Sequence, residues 1–73
     1  MIMEFYIRDE FIKLGQVLKA AGLCEFGVEA KYDIINGEVK VNGETELQRG
    51  KKIVAGDVIE YKGKSLVIKK KEI

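Results

Sequence analysis

At Asn36-Gly37 the spacing of apolar residues in this 73-residue chain changes, and the change limits the possible fold more than any single motif does. Before it, Leu14, Leu18 and Ala21 recur at intervals of four and three, with Val17 widening the stripe, which is one apolar face of a helix. Gly22 ends that helix, since glycine tolerates the left-handed conformation of a helix C-terminus. The short connection from Leu23 to Gly27 leads to a second helix expected from about Val28 to Asn36, with Ala30 and Ile34 on one face and Ile35 flanking it. After Gly37 the period is two. Val39 and Val41 alternate with Glu38 and Lys40, as in a half-buried strand.

Asn42-Gly43 then supplies the positive φ angles of a tight hairpin, and the return strand runs from Glu44 to Leu47. A basic loop, Gln48 to Lys52, precedes Ile53-Val54, the turn Ala55-Gly56-Asp57 and the strand Val58 to Tyr61. The chain turns again at Lys62 to Ser65 into Leu66-Val67-Ile68, and Lys69-Lys70-Lys71 reads as a solvated end. A short strand from Met3 to Arg8 comes first. The expected fold class is therefore α+β: two N-terminal helices, after a short first strand, packed on a small curved antiparallel sheet. A chain of this length holds one modest core, so residues 1–73 are expected to form a single domain.

The same residues exclude several functions. A composition of 47% hydrophobic and 34% charged residues is too apolar for a disordered segment, and no apolar run approaches the roughly 20 residues of a bilayer helix. The N-terminal residues lack the basic and apolar regions of a signal peptide, so a cytoplasmic location and no membrane partner are expected. The chain has one cysteine and no histidine, which removes an internal disulfide, the usual general base and the commonest metal ligand. Cys24 sits in an apolar connection and is expected to be a buried small hydrophobe, and Ser65 in a turn also lacks a base. The glycines are dispersed at turns, and none forms a phosphate-cradling loop before a helix. No enzyme activity, cofactor, metal or small-molecule substrate is expected.

Charge is distributed unevenly. Residues 1–36 carry four bases against six acids, while residues 37–73 carry nine bases against six acids, so the net +1 of the chain conceals a basic second half. A local basic patch is the footprint of a polyanion site, although solvated lysines produce the same count.

The constellation around the hairpin is more specific. From Lys13 to Lys62 the order is a helix with Leu14 and Leu18, a Gly22-Leu23 break, Glu29-Ala30-Lys31 opening a second helix, Val39-Lys40-Val41-Asn42-Gly43, the basic Arg49-Gly50-Lys51-Lys52, and Ala55-Gly56-Asp57-Val58-Ile59-Glu60. This resembles the RNA-binding domain family named after small-subunit ribosomal protein S-four, and especially its short free-standing bacterial members, over about fifty residues. The resemblance implies an alpha-L RNA-binding motif that recognises structured RNA, typically ribosomal or transfer RNA, with the helix pair and following hairpin presenting one continuous basic face. Carried over by position, Lys13 and Lys31 are the basic places of the two helices, Val41-Asn42-Gly43 is the hairpin turn, and Gln48 to Lys52 is the basic segment.

The candidate RNA-binding residues are thus Lys13, Gln16, Lys19, Lys31, Lys40, Asn42, Gln48, Arg49, Lys51 and Lys52, acting in a monomer. Arg49 leads them, because a guanidinium forks onto a phosphate or stacks on a base while lysines act as mobile point charges. Asn42 is expected to hold the turn first and to contact RNA second, and Tyr32 to cover the helix–sheet seam, with base stacking from an exposed position as its alternative. Two departures from the family pattern stand out. Phe26-Gly27 occupies the place where many members carry Ser-Arg, which removes a phosphate contact there, and Gly15 replaces an acidic residue common at the start of the first helix.

Two other readings fit parts of the chain. The same basic face would suit an acidic protein partner in an adaptor. Val-Asn-Gly at a hairpin and Gly-Asp-Val-Ile-Glu are also similar to ubiquitin-like sulfur carriers, but the helix pair is foreign to those proteins and Lys71-Glu72-Ile73 stands where their reactive Gly-Gly would be.

Overall fold

A computed structural model describes residues 1–72; Ile73, the last of the residues standing in place of the sulfur carriers' Gly-Gly, lies outside them. Among the described residues seven strands and two helices follow one another as β1 (Ile2–Ile7), β2 (Ile12–Lys13), α1 (Leu14–Ala20), α2 (Gly27–Ile35), β3 (Val39–Val41), β4 (Glu44–Thr45), β5 (Lys52–Ile53), β6 (Val58–Tyr61) and β7 (Lys64–Lys70). The change of period at Asn36-Gly37 is the boundary between the helix pair and the strands.

Both helices stop by the same device. Gly22, at φ 77°, donates its N–H to the Lys19 carbonyl while Leu23 donates to Leu18, and Gly37, at φ 79°, donates to Ile34 while Glu38 donates to Asp33. These are two Schellman motifs, each built on a glycine that can take a left-handed conformation. The hairpin at Asn42-Gly43 has φ values of 53° and 84°, and the next at Lys62-Gly63 has 51° and 76°, both signatures of the type I′ turn that matches strand twist.

The main sheet has the strand order β1-β7-β6-β3-β4. Its hairpin neighbours are antiparallel, as expected, but β1 pairs with β7 in parallel, from Ile2 opposite Ser65 to Ile7 opposite Lys70. The sheet is therefore mixed rather than antiparallel. Turn residues reveal pairings between strands that are neighbours in sequence, whereas nothing local records that the first strand lies beside the last. The lysine run is exposed, as read from the sequence, but it is not a free end: Lys69 and Lys70 belong to β7, Lys69 Nζ lies 3.2 Å from Glu4, Lys70 Nζ donates to the Asp9 carbonyl at 2.9 Å, and the Lys71 N–H donates to Ile7. A second, two-stranded sheet joins β2 to β5 and was not anticipated, because two-residue strands leave no periodicity to read.

Helices and main sheet close on one core containing Leu14, Val17, Leu18, Ala30, Ile34, Val39, Ile53, Ile59, Tyr61, Leu66 and Ile68. Tyr61, the largest fully buried side chain, is also a bolt. Its hydroxyl donates to the Asp33 carboxylate on α2 and accepts from the Cys24 thiol at 3.2 Å. Cys24 is buried, as expected, and burial pushes its thiol up from the usual range, so it remains protonated at neutral pH. Lys62 lies over the Tyr61 ring and is ion-paired to Glu29 at 3.3 Å, which holds its ammonium above the ordinary lysine range.

Burial, then the hydrogen bond to Asp33, raises the Tyr61 phenol well above the usual tyrosine value. The folded state thus favours the neutral phenol. Its contribution is fully present below about pH 10, the pKa of an unfolded tyrosine, and is lost as pH rises through the higher folded value. Tyr61→Phe is expected to lower the unfolding free energy by about 1–3 kcal/mol at pH 7, since it strands a partly buried carboxylate, and to show a shallower loss of stability above pH 10 than the wild type. Urea denaturation of both proteins across the alkaline range measures both effects; equal slopes above pH 10 would contradict the assignment.

Candidate nucleic-acid interface

The first turn of α1 organises a cationic part of the surface. No side chain caps this helix; instead the N–H groups of Leu14 and Gly15 donate to the carbonyls of Lys51 at 2.9 Å and Arg49 at 3.1 Å. The basic loop is thereby fastened across the helix start and does the capping that no side chain supplies. It also occupies these two N–H groups, so an anion arriving here is met by side chains.

Gly15 serves a second purpose. A β-carbon at this position would lie 2.6 Å from Arg49 Cγ and 3.2 Å from Cδ, so the arginine stem rests on bare helix backbone. Sequence reasoning did not count Gly15 among the functional residues; its signal was a glycine inside a helical pattern, which usually has a packing cause.

Lys13, Gln16, Lys19 and Arg49 wall a shallow hollow of about 390 Å³ whose remaining lining is glycine, at positions 15, 27 and 50. No carboxylate lines it, and among the described residues neither Lys13, Lys19 nor Arg49 has an acidic group within 4.0 Å. The helix produces this arrangement directly. Leu14, Val17 and Leu18 take the core side, which leaves positions 13, 16 and 19, three apart, along the exposed side. Lys31 is one turn from Gly27 on the same side of α2 and extends the cationic border.

The remaining predicted residues are differently placed. Lys51 and Lys52 border another depression that they share with Glu44, Glu46 and Asp57, so the local potential there is mixed. Lys52 nevertheless connects the two regions: it is directly opposite Lys13 in the β2–β5 pair, and its ammonium lies 4.8 Å from the centre of the Phe11 ring. Two lysines opposed across a ladder repel each other. Gln48 is exposed in the loop, with its N–H on Glu46 Oε2 and its carbonyl accepting from Lys51.

Lys40 is apart from the others. Val39 and Val41 face the core beneath the helices, so alternation along β3 sends Lys40 to the opposite face of the sheet, beside Thr45 and Glu60. Asn42 is committed within the fold, its Nδ2 donating to Asp57 Oδ1 at 3.0 Å and its Oδ1 accepting from the Val58 N–H at 2.9 Å. Tyr32 is exposed and does not cover the helix–sheet seam, where Tyr61 comes from the other side.

No helix among the described residues is long and apolar enough to cross a membrane. A family model described as the S4 domain matches residues 5–69. The chain is 44% identical over 57 residues to a probable ribosome maturation protein, RlbA, of Bacillus subtilis (strain 168), covering 78% of this chain and 80% of that one. It is 39% identical over 57 residues to a putative RNA-binding protein, YbcJ, of Escherichia coli (strain K12), covering 78% and 81%. The solution structure of YbcJ from E. coli, described as containing an αL motif involved in RNA-binding, superposes with a TM-score of 0.68 at 32% identity and covers 93% of this chain and 85% of its own.

Because both polar atoms of the Asn42 side chain hold the β3–β4 turn to the start of β6, Asn42→Ala is expected to lower the unfolding free energy by about 1–3 kcal/mol, a loss visible in chemical denaturation. Lys40→Ala, on the outer face, is expected to change stability by less than about 0.5 kcal/mol in the same experiment.

Proposed function

The chain belongs to the S4 domain family, and from that premise we propose that it is a non-catalytic module, one domain over residues 1–73, that binds structured RNA through the hollow between the start of α1, the Arg49 loop and the start of α2. The RNA class is ribosomal or transfer RNA, and the module acts in the cytoplasm as a monomer. Lys13, Lys19 and Arg49 are the principal phosphate contacts, Gln16 donates hydrogen bonds between them, and Lys31 and Lys52 extend the track at either side. Gln48 and Lys51 have weaker roles, because acids surround that part of the loop. Lys40 and Asn42 are left out of the site for the reasons of placement given above.

The observation that carries this reading is a hollow with three cationic walls, no acid in its lining and, among the described residues, no ion pair to quench it. Such a surface is costly to keep unless an anion visits it, and the opposed Lys13 and Lys52 add to that cost. Phosphates would relieve it and release condensed counterions, which makes binding strongly salt-dependent. Shape would be read before sequence, since the deep major groove of A-form RNA does not admit side chains. The names of the relatives, a ribosome maturation protein and an RNA-binding protein, agree with this assignment.

Filter binding of ribosomal RNA fragments and transfer RNA over a salt series tests it. The wild type is expected to give a log–log slope of about −0.7 to −0.9 per phosphate contacted, and Lys13→Ala with Arg49→Ala is expected to make the slope shallower by nearly two such increments. A salt-independent affinity, or equal binding by the two proteins, would exclude the hollow as a phosphate site. Gly15→Ala tests the floor of the hollow: an added β-carbon 2.6 Å from Arg49 Cγ forces the arginine stem or its loop to shift, so RNA affinity is expected to fall severalfold in the same assay, with a thermal melt by circular dichroism showing whether the fold is retained.

A further inference from the structure

Phosphate binding in the hollow leaves the outer surface of α2 unexplained. Phe26, at the helix N-cap, is 65% exposed, and Val28, Tyr32 and Ile35 are 58%, 58% and 53% exposed. The last three follow one another at intervals of four and three, so they form a single stripe on the side of α2 turned away from the buried Ala30 and Ile34. Each forgoes the stabilisation that burial would bring.

This ledge borders the cationic hollow. Gly27, in the hollow's lining, is the residue next to Phe26, and apart from its chain neighbours an added β-carbon at Gly27 would meet nothing within 4 Å, so no other part of the fold covers the hollow where it adjoins Phe26. On the other flank Lys31 stands between hollow and stripe, with its Nζ 6.0 Å from the centre of the Tyr32 ring. The Phe26 carbonyl accepts from the N–H groups of Glu29 and Ala30, which fixes the backbone that carries the ring.

We infer that this ledge carries unstacked nucleobases of the RNA strand whose phosphates occupy the hollow, so that the target is an unpaired loop, bulge or end beside a folded element and not an uninterrupted duplex. The inference rests on the reading of the hollow as an RNA phosphate site. A strand with splayed bases offers anionic groups and flat π-faces side by side, in the same order as the cationic wall and the aromatic rings here. Bases inside a duplex are already stacked and have no face to give. An apolar protein surface would cover the ledge but would leave Lys13, Lys19, Lys31 and Arg49 without counter-charge at its margin.

The chain contains no tryptophan, so Phe26→Trp introduces a single fluorophore at the ledge. Titrated with a stem capped by an unpaired loop, this variant is expected to be quenched, whereas the blunt duplex of the same stem leaves it bright. Phe26→Ala and Tyr32→Ala are each expected to weaken loop-RNA binding roughly fivefold or more, with the salt slope unchanged because no phosphate contact is removed. Circular dichroism establishes that the variants are folded. If loop RNA binds both alanine variants like the wild type while Lys13→Ala with Arg49→Ala still weakens it, the ledge is not a base platform, a protein partner becomes its occupant and the phosphate reading survives. If the hollow variant also binds like the wild type, the phosphate reading falls and the inference falls with it.

Discussion

The attachment of the Arg49–Lys51 carbonyls to the first turn of α1 is the contact on which the molecule's functional geometry depends. Two backbone hydrogen bonds join a loop from the strand-rich half of the chain to a helix from the other half, across more than thirty residues of sequence. They do three things at once: they satisfy two of the N–H groups at the helix start, they lie beside the β2–β5 pair, and they bring Arg49 over Gly15. Without them Lys13 and Lys19 would be two lysines on a short helix. With them, those lysines face an arginine across a glycine floor.

The principal elements could be read from the residues because each leaves a local mark. Leu14, Val17 and Leu18 repeat at the helical interval, Gly22 and Gly37 can adopt the turn that ends a helix, and Asn42-Gly43 permits the backbone of a tight hairpin. Long-range relations leave no such mark. The parallel contact of β1 with β7, the two-residue β2–β5 ladder and the capping of α1 by loop carbonyls depend on where the chain returns in space. The candidate site was legible to the same degree. Lys13, Gln16, Lys19 and Arg49 converge as the helical interval and the family pattern suggested, while Lys40 could be assigned to the wrong face because alternation fixes which residues share a side and not which side holds the core. The role of Gly15 was hidden for a plainer reason: what matters there is an atom that is missing.

Polar chemistry inside the fold is kept apart from the polar chemistry at the surface. Tyr61, Asp33 and Cys24 form a closed set of donors and acceptors that fastens α2 and the inter-helix connection to β6, and Lys62 covers it from outside. Its thiol stays protonated and its acid is engaged, so the chain's most perturbed titratable groups are structural. The hollow beside the start of α1 has the opposite character: among the described residues its cations have no acidic partner within 4.0 Å, and glycines make up the rest of its lining. An internally satisfied helix pair thus carries its exposed charges apart from its buried polar groups.

The neighbourhood of β1 and β7 also bears on how the chain is made. β1 is synthesised well before its partner β7, so six residues with three inward-facing apolar side chains wait while the helix pair and the intervening strands are made before their edge is covered. Local pieces, the helix pair and the Asn42-Gly43 hairpin, can form meanwhile. Closure of the sheet is then a late step in the folding of this domain, and a nascent chain stalled before Lys64 would carry an open strand available to any passing β-edge.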